Sequence, residues 1–103
     1  MFIREELERR LLKVPGVSVG PSRPGHGASY FTGGREIAHF HGDSRMDLRL
    51  TRDEIRRRKS EGTLDPRVRT RGPSAEWVEI QVVAAADLAF ALALVEDAVR
   101  ANS

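Results

Sequence analysis

The chain contains no cysteine among its 103 residues. Disulfide cross-links, thiolate nucleophiles and cysteine metal ligands are therefore excluded. It also lacks a long apolar run: the longest, 84–95, is broken by Asp87 and is too short to cross a bilayer. The amino-terminal MFIREELERRLLK is charged throughout, without the apolar core and cleavage site of a secretory signal. Gly33-Gly34 leads into a strand, so no glycine-rich phosphate loop opens a helix here. No serine or threonine lies in a nucleophile elbow or triad pattern. Together these absences predict a soluble, cytoplasmic protein with no membrane partner.

What is present suits one globular domain, 1–103. Hydrophobic residues make up 40% and charged residues 31%, a composition that folds rather than stays disordered. The formal net charge of +2 is too small by itself to imply a nucleic-acid partner. Its distribution is uneven. Residues 51–72 hold eight Arg or Lys against four Asp or Glu, whereas 73–103 hold one against five.

Ile3, Leu7, Leu11 and Val14 recur at helical spacing and predict a first helix over 2–13, stopped by Pro15-Gly16. Val17–Gly20 begins a strand, 21–27 is a loop containing His26, and Ala28–Thr32 is a second strand. Gly33-Gly34 turns the chain into Glu36–His41, and Met46–Leu50 runs back. Thr51-x-x-Glu54 is a capping box for a short helix, 52–61, with Ile55 as its apolar contact and Gly62 as its stop. Residues 63–75 form a loop or an irregular edge segment. Trp77–Val83 alternates, with Val78, Ile80 and Val82 on one face. Asp87 is expected to cap a closing helix, 88–100, whose stripe is Leu88, Leu92, Val95 and Val99. Phe90 and Leu94 exceed what that stripe needs and predict a homodimer through this helix. The order α-β-β-β-β-α-β-α implies an α+β fold, an antiparallel sheet of about four to six strands with helices packed on it.

The most informative stretch is Gly33–Thr51, which holds two of the three histidines. His39 and His41 project to one face of a strand, about 7 Å apart at the Cα atoms. Two imidazoles so placed can converge on a divalent metal, with His26, Glu36, Asp43 or Asp47 completing the site. They also offer general-base chemistry, because an imidazole titrates near neutral pH. The register decides. If 42–45 close the turn, His41 faces Met46, His39 faces Leu48 and Ile37 faces Leu50. The histidines then share the apolar face as hydrogen-bonded structural residues, while Ala38 and Phe40 lie with Asp47 and Arg49. Trp77 is expected to pack in the core or on a sheet face, close to Tyr30 or Phe40.

The basic residues Arg56, Arg57, Arg58, Lys59, Arg67, Arg69 and Arg71 form a second candidate, a track for a phosphate backbone. No aromatic residues interleave with them, so base stacking is unsupported. A solvated helix face offset by the acidic tail explains the same run.

These residues carry a resemblance. Gly34-Arg-Glu-Ile-Ala-His-Phe-His-Gly-Asp43, then Met46-Asp-Leu-Arg-Leu50, a short helix, Trp77-Val-Glu-Ile80 and a final helix are similar to the small bacterial luciferase-domain family. The likeness runs from about Val14 to the end of the chain. The family label implies light emission, while the sequence offers neither an adenylate-binding loop nor a flavin cavity. The tryptophan-led strand and terminal helix also resemble YjbR-like double-wing proteins, which would imply DNA binding. The reading that results is a small-ligand or protein-binding module. His39, His41, His26 and Trp77 are its ligand-binding residues, and His39 and His41 are the metal ligands if a metal-dependent enzyme is the better description.

Overall fold

A computed structural model describes residues 3–20, 28–72 and 74–103; His26 lies outside them. The elements are α1 (Ile3–Leu11), β1 (Ser18–Gly20), β2 (Ser29–Thr32), β3 (Arg35–His41), β4 (Arg45–Arg49), α2 (Arg52–Glu61), β5 (Val68–Thr70), β6 (Trp77–Gln81) and α3 (Ala85–Ala101). The six strands form one antiparallel sheet in the order β1-β2-β3-β4-β6-β5. The fold is α+β as expected, and the irregular segment after α2 supplies the edge strand β5.

Strand alternation separates the two faces of the sheet. Ala38 and Phe40 of β3, Met46 and Leu48 of β4, and Val78 and Ile80 of β6 are all buried in one core. Leu7 and Leu11 of α1 join them, with Ala91, Leu94, Val95 and Ala98 of α3. Two alanines at full burial let α3 lie close, and it packs on α1 and β4. Helix α2 contributes only Ile55, as its sequence predicts. Gly62 ends it in the left-handed conformation at φ 70°, with its N–H donating to the Arg58 and Lys59 carbonyls. Thr51 accepts from the Glu54 N–H, but the Glu54 carboxylate is engaged by Arg57 and Arg58, so only half of the capping box forms.

Two expectations are corrected, and a third loses its argument. The turn between β3 and β4 uses Gly42, Asp43 and Ser44 only, with Gly42 at φ 66°, and His41 pairs with Arg45. His39 therefore pairs with Asp47, while Ala38 and Phe40 pair with Leu48 and Met46. A slip of one residue turns a strand's side chains over, so the histidines leave the apolar face and Ala38 and Phe40 take it. Helix α3 begins at Ala85, not after Asp87. The Asp87 carboxylate reaches back to accept the Val83 and Ala84 N–H groups, at 3.1 and 3.0 Å. Those two bonds hold it below the usual carboxylate range. The apolar surplus of α3 is also used within the chain. Leu94 is buried, and Phe90 lies under the Arg67 guanidinium at 3.9 Å, which removes the argument for a dimer through this helix.

Candidate functional site

The face of the sheet opposite the core carries His39 and His41 from β3, Asp47 from β4 and Trp77 and Glu79 from β6. A bulge adds one more group. Tyr30 pairs with Ala38 but Phe31 pairs with Glu36, so Ile37 is the extra residue of β3. Without it, Glu36 would point away from His39; with it, both side chains share a face. Glu36 Oε1 lies 3.7 Å from His39 Nδ1.

These side chains converge on one carboxylate. His39 Nε2 is 3.1 Å and His41 Nε2 is 2.8 Å from the same oxygen, Asp47 Oδ2. The two imidazole rings stand 5.0 Å apart, and the Trp77 ring lies 5.1 Å from that of His39. Trp77 is therefore a wall beside a histidine, while Tyr30 and Phe40 meet each other on the core side. Arg45 Nε approaches Asp47 Oδ1 at 3.6 Å, and Arg71 Nη2 approaches Oδ2 at 4.0 Å. Both distances exceed a hydrogen bond. Asp47 is 6% exposed, and its Oδ1, together with His39 Nδ1 and Arg45 Nε, is buried without a hydrogen-bond partner. Buried polar atoms are nearly always paired, so three orphans at one spot mark a place arranged for something other than packing.

Above them opens a cleft of about 510 Å³, lined by His39, His41, Asp47, Glu36, Trp77 and Arg71, among others. That volume suits a small organic molecule. Arg71 bonds Glu79 Oε1 at 2.9 and 2.5 Å, which pulls the Glu79 carboxyl below and pushes the Arg71 guanidinium above its ordinary range. Asp43 is exposed in the turn and stands outside this cluster.

The basic run behaves differently. Arg57 bonds Glu54 and Glu61, Arg58 bonds Glu54 and Asp97, and Arg67 bonds Asp65 and Asp87. These arginines neutralise acids of their own chain, including two from the acidic carboxy-terminal stretch.

Of the residues singled out in the sequence, His39, His41 and Trp77 stand together in this cleft. Sequence reasoning named Asp47 and Glu36 only as two of several acids and missed Arg71 as a cleft residue. The alternation of β4 does set Asp47 apart from Met46 and Leu48. Its face, however, depends on a turn length that Gly-Asp-Ser-Arg does not dictate.

Residues 34–98 match the family model described as Luciferase: Luciferase domain. The matched span covers both histidines, Asp47, Glu36, Arg71 and Trp77. No curated protein and no solved structure matches the chain. The likeness to YjbR-like proteins has no such support. Among the described residues, no helix is long and apolar enough to cross a membrane.

Proposed function

The chain belongs to the Luciferase domain family, and from that premise we propose that it is a small-ligand-binding module whose site is the cleft over Asp47. One observation carries the reading: two imidazoles converge on a buried carboxylate at the floor of a cavity walled by the only tryptophan. Four carboxylates line the cleft, those of Glu36, Asp47, Glu76 and Glu79. They favour a ligand that brings hydrogen-bond donors, such as hydroxyl or amine groups, attached to a flat apolar body that covers Trp77. A cytoplasmic location and a non-membrane role form part of the same proposal.

Because Trp77 is the sole tryptophan, its fluorescence reports on this cleft alone. Titration with small hydroxylated and aminated aromatic compounds is expected to quench it. Binding should weaken about tenfold or more in His39→Ala and His41→Ala, the loss of one good polar contact each. Compounds that bind with equal strength to both variants would place the ligand elsewhere and overturn the reading. The alternative, nucleic-acid binding through 56–71, draws no support from Arg57, Arg58, Arg67 and Arg71, which already pair with acids of the chain. Salt-sensitive binding of labelled DNA or RNA would restore it.

A further inference from the structure

The same cleft supports a more specific inference, which rests on its being the ligand site: we infer that His39 Nε2, His41 Nε2 and the Asp47 carboxylate form a three-ligand centre for one divalent ion of the zinc and cobalt class. One ligand atom from each of the three residues lies within 4.8 Å of the other two. Donors sharing an ion at bond lengths of about 2.0–2.1 Å stand roughly 2.9 Å apart on an octahedron and roughly 3.3 Å apart on a tetrahedron. The measured nitrogen–oxygen separations, 3.1 and 2.8 Å, fall at those edges. Two imidazoles with one carboxylate suit zinc, cobalt or iron, whereas magnesium and calcium prefer oxygen alone. Three protein ligands leave coordination positions open towards the cleft, where an organic ligand would complete them.

The buried Nδ1 of His39 supplies an independent observation. Without an ion, an imidazole donating from Nε2 to Asp47 leaves a lone pair on Nδ1. For His39 that lone pair is buried, partnerless and 3.7 Å from the Glu36 carboxylate, which can only accept. Coordination through Nε2 reverses this. The proton moves to Nδ1 and points at Glu36, the arrangement in which a metal-bound histidine donates its second N–H to a carboxylate. The bulge at Ile37 is the feature that puts Glu36 there. Glu36 is thus a positioning residue. Arg71 acts in the opposite sense: its cation lies 4.0 Å from Asp47 Oδ2 and competes with an incoming dication. Its side chain is 63% exposed and anchored to Glu79, so it is removable without disturbing the core.

The test is calorimetric titration of the chelator-treated full chain with zinc, with cobalt absorption and Trp77 quenching as second readouts. One zinc per chain is expected. His39→Ala, His41→Ala and Asp47→Asn should each lose at least about tenfold in affinity, and Glu36→Gln should lose a similar or smaller factor. Arg71→Gln should bind about threefold tighter or better at low salt, a gain that damage to the fold would not produce. Circular dichroism checks that each variant is folded. Absence of zinc binding by the folded wild-type chain overturns the inference, and so does unchanged affinity in the three ligand variants. Repeating the organic-ligand titration with excess chelator separates the two readings. Binding that survives there, without any zinc binding, discards the ion and keeps the cleft.

Discussion

Glu6 on α1 and Asp47 on β4 are both buried acids, 8% and 6% exposed, and their surroundings differ in kind. Glu6 accepts from Arg9 Nη2 at 2.6 and 2.7 Å and from Arg10 Nε at 2.7 Å. These bonds hold its carboxyl down to about 2. Asp47 has cations and imidazoles around it, yet Oδ1 has no hydrogen-bond partner and Oδ2 is shared between two rings. The first acid is saturated by its own helix, through pairs three and four residues apart. The second is approached from β3, from its own strand β4 and from Arg71 just beyond β5, with capacity left over. A saturated acid stabilises a structure, and an unsaturated one at the floor of a cleft is poised to receive a ligand.

The largest test of this contrast uses adjacent residues. Leu48 is fully buried against the helices, while Asp47 faces the cleft. Leu48→Ala should destabilise the chain by about 2–5 kcal/mol, through lost burial and the cavity left behind. Asp47→Asn keeps the shape and should change stability by less than about 1 kcal/mol, while lowering zinc affinity at least about tenfold. Urea unfolding of both variants checks this. A larger loss from Asp47→Asn than from Leu48→Ala would make the carboxylate a structural keystone and remove the functional reading.

Much of this contrast was legible in the sequence, and the failure is local. The alternation of Trp77–Gln81, the Gly33-Gly34 hairpin and the helix from Thr51 to Gly62 all rest on short-range chemistry, and all form. His39 and His41 do share a face, because that follows from the pleat. Which face they share depends on whether the turn holds three residues or four. Gly, Asp, Ser and Arg fit either length. The bulge at Ile37 carries no glycine to announce it, so the partnership of Glu36 with His39 could not be read. The pairing of His39 with Trp77 needs β4 to lie between β3 and β6, a long-range arrangement that no local pattern encodes. Asp87 misled for a related reason. An acid in the first turn can accept backbone N–H groups from the third helical position as well as from the cap.

A smaller effect sharpens the comparison from the core side. Tyr30 is 2% exposed and its hydroxyl donates to Glu8 Oε2 at 3.3 Å. Burial, reinforced by the Glu8 charge, pushes its hydroxyl up to about 12. A folded-state value above the unfolded one means a contribution present in full below about 10 and lost as pH rises through about 12. Tyr30→Phe should cost about 0.5–1 kcal/mol at neutral pH. Thermal melts should show its disadvantage shrinking as pH climbs through that alkaline window. A disadvantage that stays constant up to the alkaline limit would mean that the folded chain does not disfavour the ionised hydroxyl.

The smallest effect belongs to Glu6 itself, since its arginine partners are solvent-exposed and screened. Its folded-state value, about 2, lies below the ordinary glutamate value of 4.5. The contribution is therefore present in full above about 4.5 and is lost as pH falls through about 2. Glu6→Gln should melt slightly below wild type at pH 6, and the two melting temperatures should converge towards pH 2. Added salt should narrow the gap at pH 6. A gap that salt leaves unchanged at pH 6 would mean that Glu6 acts through packing and not through its two exposed arginine partners.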